Sequence, residues 1–211
     1  MSSLKQKILV LAPHTDDGEF GCGGAISRFV EQGADIYYVA FSTAGASVPK
    51  GMPKNILEIE VREATARLGI LPENLYVFDY EVRKLNFSRQ DILEDLVKLK
   101  QDIAPDLVFL PSENDIHQDH YTVTMEGIRA FKQTSILGYE LPWNMITFRT
   151  QSFIKLEERF IQKKIFAIQA YKSQQQKSYA SEKFIESLAV TRGTQIGCEY
   201  AEAFEVIRWV M

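Results

Sequence analysis

The sequence predicts an α/β protein, a Rossmann-like three-layer sandwich with a mostly parallel sheet between two layers of helices. Two observations predict this fold class. Short apolar runs alternate along the chain with segments of helical periodicity. The first of these runs, residues 8–11, is continuously apolar, as expected for a strand that is buried on both faces. Strands that are joined through helices form right-handed βαβ units, so we expect neighbouring strands to be parallel.

The elements follow from their local patterns. The predicted strands span residues 8–11, 36–41, 75–78, 107–110, 136–141 and 204–210. The predicted helices span residues 23–32, 56–68, 91–100, 121–132, 156–173 and 182–188. Gly33 and Gly69 directly follow the first two helices, where glycine commonly ends a helix. Ser88 is the predicted N-cap of the third helix, and Pro105 lies beyond its end.

The predicted order of the first five strands, 3-2-1-4-5, places a candidate site. Strands 1 and 4 are neighbours in this order, and ligands of such folds bind where the chain changes direction, outside the carboxyl ends of the strands. A polar motif at residues 13–19 follows strand 1, and another at residues 115–120 follows strand 4. We therefore expect two loops that are about a hundred residues apart in the sequence to meet at one site.

The composition limits the classes of protein to consider. The 211 residues contain no internal repeat and no linker, so we expect a single domain over residues 1–211. The net charge of −4 and the scattered Lys and Arg residues argue against a nucleic-acid partner. Two cysteines, Cys22 and Cys198, are far apart and predict no disulfide framework, which favours a reducing cytoplasm.

The apolar runs are too short for a membrane protein. The N-terminal run has only five apolar residues before His14 and the acidic residues that follow, so neither a signal peptide nor a membrane span is expected. No other stretch approaches membrane length, and we expect a cytoplasmic protein without a membrane partner. Residues 43–54, rich in Gly, Pro and small side chains, predict a mobile surface loop.

The two polar motifs favour a metal site. They contain every histidine of the chain: His14, His117 and His120. Among their acidic residues, Asp16, Asp17, Glu19 and Asp119 are expected to converge with these histidines. A lone histidine is more often structural, but three that converge with carboxylates suit Zn²⁺ or a similar divalent ion. A catalytic zinc typically takes three protein ligands and leaves one position for water, which a further carboxylate can deprotonate.

The same residues carry a resemblance to a known family. APHTDDGEFGCGG at residues 12–24 and HQDH at residues 117–120 resemble the paired motifs of the PIG-L/LmbE family of N-acetylglucosaminyl deacetylases. Arg62-Glu63 with Leu68-Gly69 resembles its second helix, and residues 192–204 resemble its C-terminal segment. The resemblance thus spans nearly the whole chain and implies an LmbE-like fold. Thr15 stands where many members have Pro, which leaves the subfamily open.

The resemblance implies a role for each site residue. The metal ligands would be His14, Asp17 and His120, and Asp16 would be the general base. His117 would stabilise the oxyanion and protonate the leaving amine, and Asp119 would orient and charge the ring of His117. The implied reaction uses metal-activated water to remove an N-acetyl group from an N-acetylglucosamine-type amino sugar or sugar conjugate. Zn²⁺ is the implied ion, with Fe²⁺ or another divalent metal as the alternative, and a homo-oligomer is possible.

Other interpretations stay open at this point. His14 and Asp16 with a distant histidine mimic the facial triad of iron-dependent oxygenases, although the βαβ pattern argues against that class. A non-catalytic binding protein on the same fold is the third possibility. The glycines around Cys22 do not have the spacing of a dinucleotide-binding loop. We expect Glu19 to hydrogen-bond near the site, Cys22 to be buried, and Arg192 either to bind a substrate anion or to form a salt bridge.

Overall fold

The computed structural model describes residues 5–211, except for the side chain of Ser47. The first four residues lie outside the described residues. They belong to the N-terminal segment for which neither a signal peptide nor a membrane span is expected. The strands are β1 (Lys7–His14), β2 (Asp35–Ser42), β3 (Leu75–Val77), β4 (Leu107–Pro111), β5 (Ser135–Tyr139), β6 (Ser152–Leu156) and β7 (Tyr200–Arg208). The α-helices are α1 (Asp17–Glu31), α2 (Ile56–Leu68), α3 (Arg89–Ile103), α4 (Gln118–Ala130), α5 (Glu158–Ile168) and α6 (Glu182–Gln195).

The strands form one seven-stranded sheet in the order β3-β2-β1-β4-β5-β7-β6. The first five strands are parallel, which confirms both the α/β class and the predicted order 3-2-1-4-5. The last two strands extend the sheet antiparallel beyond β5, with β7 inserted between β5 and β6. Strand β1 therefore lies inside the sheet, with hydrogen-bonded neighbours on both sides.

Helices cover both faces of the sheet, as a three-layer sandwich requires. Successive side chains of a strand point to opposite faces, and in β1 Ile8 and Val10 pack into one core while Leu9 and Leu11 pack into another. The first core contains residues of α1, α2, α5 and α6, and the second contains residues of α3 and α4. Within residues 5–211, no helix has both the length and the apolar character needed to cross a membrane.

Helices α1 and α4 begin earlier than predicted, so both polar motifs enter helices. Helix α1 begins at Asp17 instead of residue 23, and α4 begins at Gln118 instead of residue 121. The glycine-rich start of α1 hides a helical pattern, because glycine is a poor helix former. Cys22 has non-helical angles (φ −146°, ψ 24°), so α1 consists of two helical segments in succession. The predicted helix corresponds to the second segment.

The prediction of one helix over residues 156–173 is wrong. Residues 152–156 form strand β6, which pairs with β7, and α5 ends at Ile168. The alternation in β6 is too short to be separated by eye from the helical pattern that follows it. Beyond α5 the chain turns, and the side chains of Tyr171 and Ser173 bond to residues distant in the sequence. The closing strand also begins earlier than predicted, at Tyr200.

A buried carboxylate supports the second segment of α1. The backbone N–H groups of Gly24 and Ala25 donate to the carboxylate of Glu202 on β7, at 3.0 and 2.7 Å. The ammonium of Lys164 donates to the same carboxylate at 2.7 Å, and both side chains are at least nine-tenths buried. A Cβ on Gly24 would lie 2.6 Å from a methyl carbon of Leu156, so the close approach requires glycine. Glu202 thus caps a helix segment and neutralises a buried cation.

We predict that Glu202→Ala lowers the free energy of unfolding by roughly 3–5 kcal/mol, because it leaves the buried Lys164 ammonium uncompensated. Urea unfolding at neutral pH measures the change. Glu58→Ala is the matched control, since the Glu58–Arg62 pair is exposed and such pairs contribute at most about 1 kcal/mol. Equal losses in the two variants would contradict the structural role of Glu202.

Candidate metal centre and active site

The candidate site lies at the carboxyl ends of β1 and β4, where the sequence placed it. These strands are hydrogen-bonded neighbours, with Ile8 paired to Leu107. His14 is the last residue of β1, and Asp17 is the first residue of α1. His117 is the N-cap of α4, and His120 lies in its first turn. The pairing of two strands therefore brings together side chains that are more than a hundred residues apart.

Three donor atoms form a nearly equilateral triangle. Nδ1 of His14 lies 3.1 Å from Oδ2 of Asp17, and Nε2 of His120 lies 3.2 Å from the same oxygen. The two nitrogens are 3.2 Å apart. Ligands of a tetrahedral zinc, at about 2.0–2.1 Å from the ion, lie roughly 3.3 Å from one another. The residues present therefore fit a divalent ion with three protein ligands.

His117 stands beside this triangle. A ring nitrogen of His117 lies within 4.8 Å of ring nitrogens of His14 and His120, so the three histidines together form a cluster that could hold a metal. The ring of His117 is stacked on that of His120, with centroids 4.6 Å apart. Its Nδ1 accepts the backbone N–H of Asp119 at 3.1 Å. The neutral ring therefore carries its hydrogen on Nε2 and can donate it.

The second nitrogen of each triangle histidine contacts a carboxylate. Nε2 of His14 is 3.0 Å from Oδ2 of Asp119, and Nδ1 of His120 is 2.7 Å from Oδ2 of Asp115. Metal-bound histidines in proteins usually have such a partner, which fixes the tautomer and the orientation of the ring. The arrangement leaves Nδ1 of His14 and Nε2 of His120 to face Asp17.

The carboxylate of Asp119 contacts a different histidine from the one that the family resemblance implies. We expected its carboxylate to orient the ring of His117, but in the structure it contacts His14 and also accepts the backbone N–H groups of Arg83 and Leu85. The cause is its position in the first turn of α4, where its own N–H reaches His117 and its side chain points to β1. Asp115 had no predicted role, although its place in the second motif was the available signal.

The charges in the triangle compensate one another. Burial alone would lower the pKa of His14, but the charge of Asp17 and the contacts with Asp119 and Asp17 raise it to about 9. Burial likewise opposes protonation of His120, and Asp17 and Asp115 outweigh it and raise the pKa to about 10. Burial would raise the pKa of Asp17, but His120 and His14 hold it well below its usual range.

The pKa of Asp16 is raised and that of His117 is lowered, opposite to the shifts of Asp17 and of the other two histidines. Burial, and then the neighbouring charge of Asp17, raise the pKa of Asp16 to about 7. Within the described residues, no hydrogen bond joins its carboxylate to another side chain, and the residue lines the open cleft. Burial and then the charges of His120 and His14 lower the pKa of His117. The cleft thus offers a carboxylate with the pKa of a base that works near neutral pH and a neutral imidazole.

An aromatic wall borders the cleft in front of the triangle. The rings of Trp143 and Tyr179 are stacked with centroids 4.0 Å apart, and Phe20 packs edge-on against both. The remaining lining residues away from the histidines and aspartates are Ala44, Pro49, Val82, Arg83, Asn144, Ser173, Gln174 and Lys177. The predicted surface loop at residues 43–54 therefore contributes to the cleft through two of its residues. The cleft combines a flat apolar surface with hydrogen-bonding groups.

Three smaller predictions concern residues around the site. Arg192 forms a salt bridge with Glu140, with Nε to Oε2 at 2.9 Å, so of the two predicted roles the structure shows the ion pair. Cys22 is buried, as expected. Glu19 is also buried and contacts the hydroxyls of Tyr38 and Tyr171. Its pKa is raised to about 8, mainly by burial.

The fold and the site define a class of α/β proteins that carry a histidine–carboxylate site at the carboxyl edge of the sheet. Within that class the chain belongs to the PIG-L family, because the family model described as GlcNAc-PI de-N-acetylase matches residues 9–131. This range includes every predicted ligand and both acid–base candidates. A protein of Escherichia coli (strain K12) named uncharacterized deacetylase YaiS is 29% identical over 181 residues, which cover 82% of this chain and 94% of that protein.

Solved structures with different activities share the fold. N,N'-diacetylchitobiose deacetylase from Pyrococcus horikoshii superposes with a TM-score of 0.80 at 22% identity, over 96% of this chain and 84% of that one. GalB, the 4-carboxy-2-hydroxymuconate hydratase of Pseudomonas putida KT2440, also has a TM-score of 0.80, at 20% identity and 98% coverage of both chains. At these identities the likeness shows the fold alone, and the site must decide the chemistry.

We predict that His14→Ala and His120→Ala lose most of their bound divalent metal, because each removes one corner of the donor triangle. His117→Ala should keep it. Asp115→Asn should weaken binding by about ten- to a hundred-fold, the usual effect of losing a carboxylate partner of a metal ligand. Elemental analysis after dialysis, with circular dichroism to control for folding, measures these effects. Loss of metal from His117→Ala would contradict the assignment of the triangle.

We predict that metal affinity rises as the pH rises from about 6 to about 9. A metal binds neutral imidazole, and in the metal-free protein His14 and His120 hold protons up to a pKa of about 9 and about 10. Binding at pH 7 must therefore release protons. Calorimetric titration in two buffers with different ionisation enthalpies counts them. Equal heats in both buffers, with affinity independent of pH, would show that the imidazoles are already neutral.

Proposed function

We propose that this protein is a zinc-dependent deacetylase that removes an N-acetyl group from an N-acetylglucosamine-type amino sugar or sugar conjugate. The single observation that carries the proposal is the donor triangle of His14, Asp17 and His120 beside Asp16 and His117. Membership of the family described as GlcNAc-PI de-N-acetylase and the likeness to a protein named as a deacetylase support the reaction class.

The ion would be held by His14, Asp17 and His120. Their two nitrogens and one oxygen suit zinc, and a three-ligand site leaves a position open for water and substrate. When bound, the ion lowers the pKa of water and polarises the substrate carbonyl. Asp119 and Asp115 would keep the two imidazoles in the tautomers that such binding needs.

Asp16 and His117 would carry the proton transfers. Hydrolysis of an acetamide takes up one water and yields acetate and an amine, so a proton must leave the water and another must reach the amine nitrogen. Asp16 can accept the first, because its carboxylate lines the cleft and, without the ion, burial and the charge of Asp17 raise its pKa to about 7. His117 can donate a hydrogen bond from Nε2 to the developing oxyanion, since its Nδ1 is already an acceptor. The proton that reaches the amine through His117 is replaced by the one that Asp16 took from the water, so both residues return to their starting protonation states.

The cleft suits a sugar ring. Trp143 and Tyr179 offer amphipathic aromatic surfaces near the triangle, and Asn144 and Gln174 offer hydrogen-bonding groups. This combination of apolar wall and sparse polar groups is typical of small-molecule sites. A single domain over residues 1–211, a cytoplasmic location and a homo-oligomeric state stay predictions from the sequence.

Two other activities are distinguishable by experiment. The oxygenase hypothesis pairs His14 with Asp16, but in the structure Asp17 contacts both imidazoles. A hydratase is the second candidate, because a hydratase shares the fold and adds water to a substrate. Both reactions need a base for the water and a proton donor, to the amine in a deacetylase and to carbon in a hydratase, so the base and the donor of the site could serve either and the product decides.

We predict that the zinc-loaded protein releases acetate from at least one N-acetylglucosamine conjugate, with a free amine formed in equal amount. A panel of glycosides and free N-acetylglucosamine, read by acetate and amine assays, tests this. Asp16→Asn should keep the metal and lower the rate by about a hundred- to ten-thousand-fold, as expected for loss of a general base. Activity near that of the unaltered protein would place the base elsewhere.

The matched controls address the competing activities. The same preparations are assayed for oxygen uptake with Fe²⁺ and for water addition to unsaturated carboxylic acids. Turnover in either assay, without acetate release from any amino sugar, would overturn the deacetylase proposal. An absence of turnover in all three assays, with metal bound, would favour the non-catalytic alternative.

A further inference from the structure

Two buried tyrosines converge on the turn that carries the metal ligands. The carbonyl oxygen of Thr15, which lies between His14 and Asp17 in the chain, is 3.0 Å from the hydroxyl of Tyr38 and 2.7 Å from the hydroxyl of Tyr171. Tyr38 comes from β2, and Tyr171 follows α5. Both tyrosines are fully buried, and Thr15 is 1% exposed. Two hydroxyls from distant parts of the chain thus hold a single peptide group.

Glu19 completes this cluster, because its carboxylate contacts both tyrosine hydroxyls. Its Oε1 lies 2.9 Å from the hydroxyl of Tyr171, and its Oε2 contacts the hydroxyl of Tyr38. The backbone N–H of Gly18 donates to the Tyr38 hydroxyl at 3.1 Å. A Cβ on Gly18 would lie 2.5 Å from a ring carbon of Tyr38, so a glycine at this position follows from the place of the tyrosine. Hydrogen bonds therefore fix the turn from Thr15 to Glu19 on its buried side.

We propose that Tyr171 and Tyr38 are positioning residues of the metal centre, which act by fixing the peptide that joins Thr15 to Asp16. This inference rests on the proposed metal site. The orientation of that peptide sets the position of the backbone of Asp16 and Asp17. A functional site requires its groups to lie within about 0.5 Å of their productive positions. Inside the turn, the Asp17 carboxylate also accepts the backbone N–H of His14 at 2.8 Å.

The position of Tyr171 in the chain strengthens the inference. The family match ends at residue 131 and contains all three proposed ligands. Tyr171 lies beyond this range, in the region where the chain turns after α5, and yet its hydroxyl reaches the ligand turn. The C-terminal third of the chain therefore contributes to the site through hydrogen bonds to the backbone, in addition to lining the cleft.

Tyr139 provides a matched control. It is also fully buried, and its hydroxyl donates to a backbone carbonyl of β1, that of Leu11, at 2.9 Å. Leu11 lies three residues before His14, within the strand and outside the ligand turn. Tyr139→Phe and Tyr171→Phe thus each remove a buried hydroxyl from a backbone carbonyl of this region, but only the Tyr171 hydroxyl contacts the ligand turn and Glu19.

The test measures Co²⁺ binding, which needs no substrate. Affinity is determined by competition with a chelator, and the visible absorption of bound Co²⁺ reports the ligand geometry. We expect Tyr171→Phe to weaken binding by about ten- to a hundred-fold, the range seen for groups that support metal ligands, and to change the absorption spectrum. Tyr139→Phe should lower the melting temperature similarly but keep the affinity and spectrum of the unaltered protein.

The outcomes separate this inference from the proposed function. Normal Co²⁺ binding by the unaltered protein, with Tyr171→Phe and Tyr38→Phe both indistinguishable from Tyr139→Phe, would overturn the positioning role alone. Failure of the unaltered protein to bind Co²⁺ would overturn the metal site, and this inference with it. Should Tyr171→Phe not fold, Tyr38→Phe decides, because its hydroxyl contacts the same carbonyl.

Discussion

The parallel pairing of β1 with β4 is the constraint on which the site depends. It places the carboxyl ends of two internal strands side by side, and each end passes at once into the first turn of a helix. His14 and Asp17 come from one end and His120 from the other, so the donor triangle exists only while these strands stay in register. Strand β1 is also buried between helices on both faces of the sheet.

Burial of several ionisable groups is tolerated because they have partners of opposite charge. Asp17 lies between two imidazoles, Asp119 and Asp115 each contact the outer nitrogen of one of them, and Glu202 contacts Lys164. A buried charge without such a partner would be costly. Asp16 differs from the rest, since no hydrogen bond joins its carboxylate to another of the described side chains, and it lines the cleft. The groups that stabilise the centre and the group proposed for proton transfer are therefore distinct.

The sequence was informative where the signal is local and uninformative where distant contacts decide. The run at residues 8–11 and the two polar motifs were sufficient to place the strand order and to gather His14, Asp17 and His120 at one edge. The two-segment helix α1 was missed, because its break at Cys22 depends on a carboxylate from β7. The contact of Asp119 with His14 was not predicted for a similar reason: spacing brings Asp119 near His117, whereas in the structure its carboxylate contacts His14. Neither contact has a pattern in the nearby sequence.

The break in α1 has a consequence for how the chain can be divided. A helix interrupted in its middle exposes a second set of amide hydrogens, and here the carboxylate that satisfies them belongs to a strand close to the C-terminus. The backbone N–H groups at the start of the second segment of α1 therefore donate to a carboxylate on β7, far along the chain from the proposed ligands. A fragment truncated after the family match would retain each of the proposed ligands, yet it would lack the acceptor for those amides and strands that complete the sheet. The acceptor for the amides of the second segment of α1 thus comes from β7, outside the region of the family match.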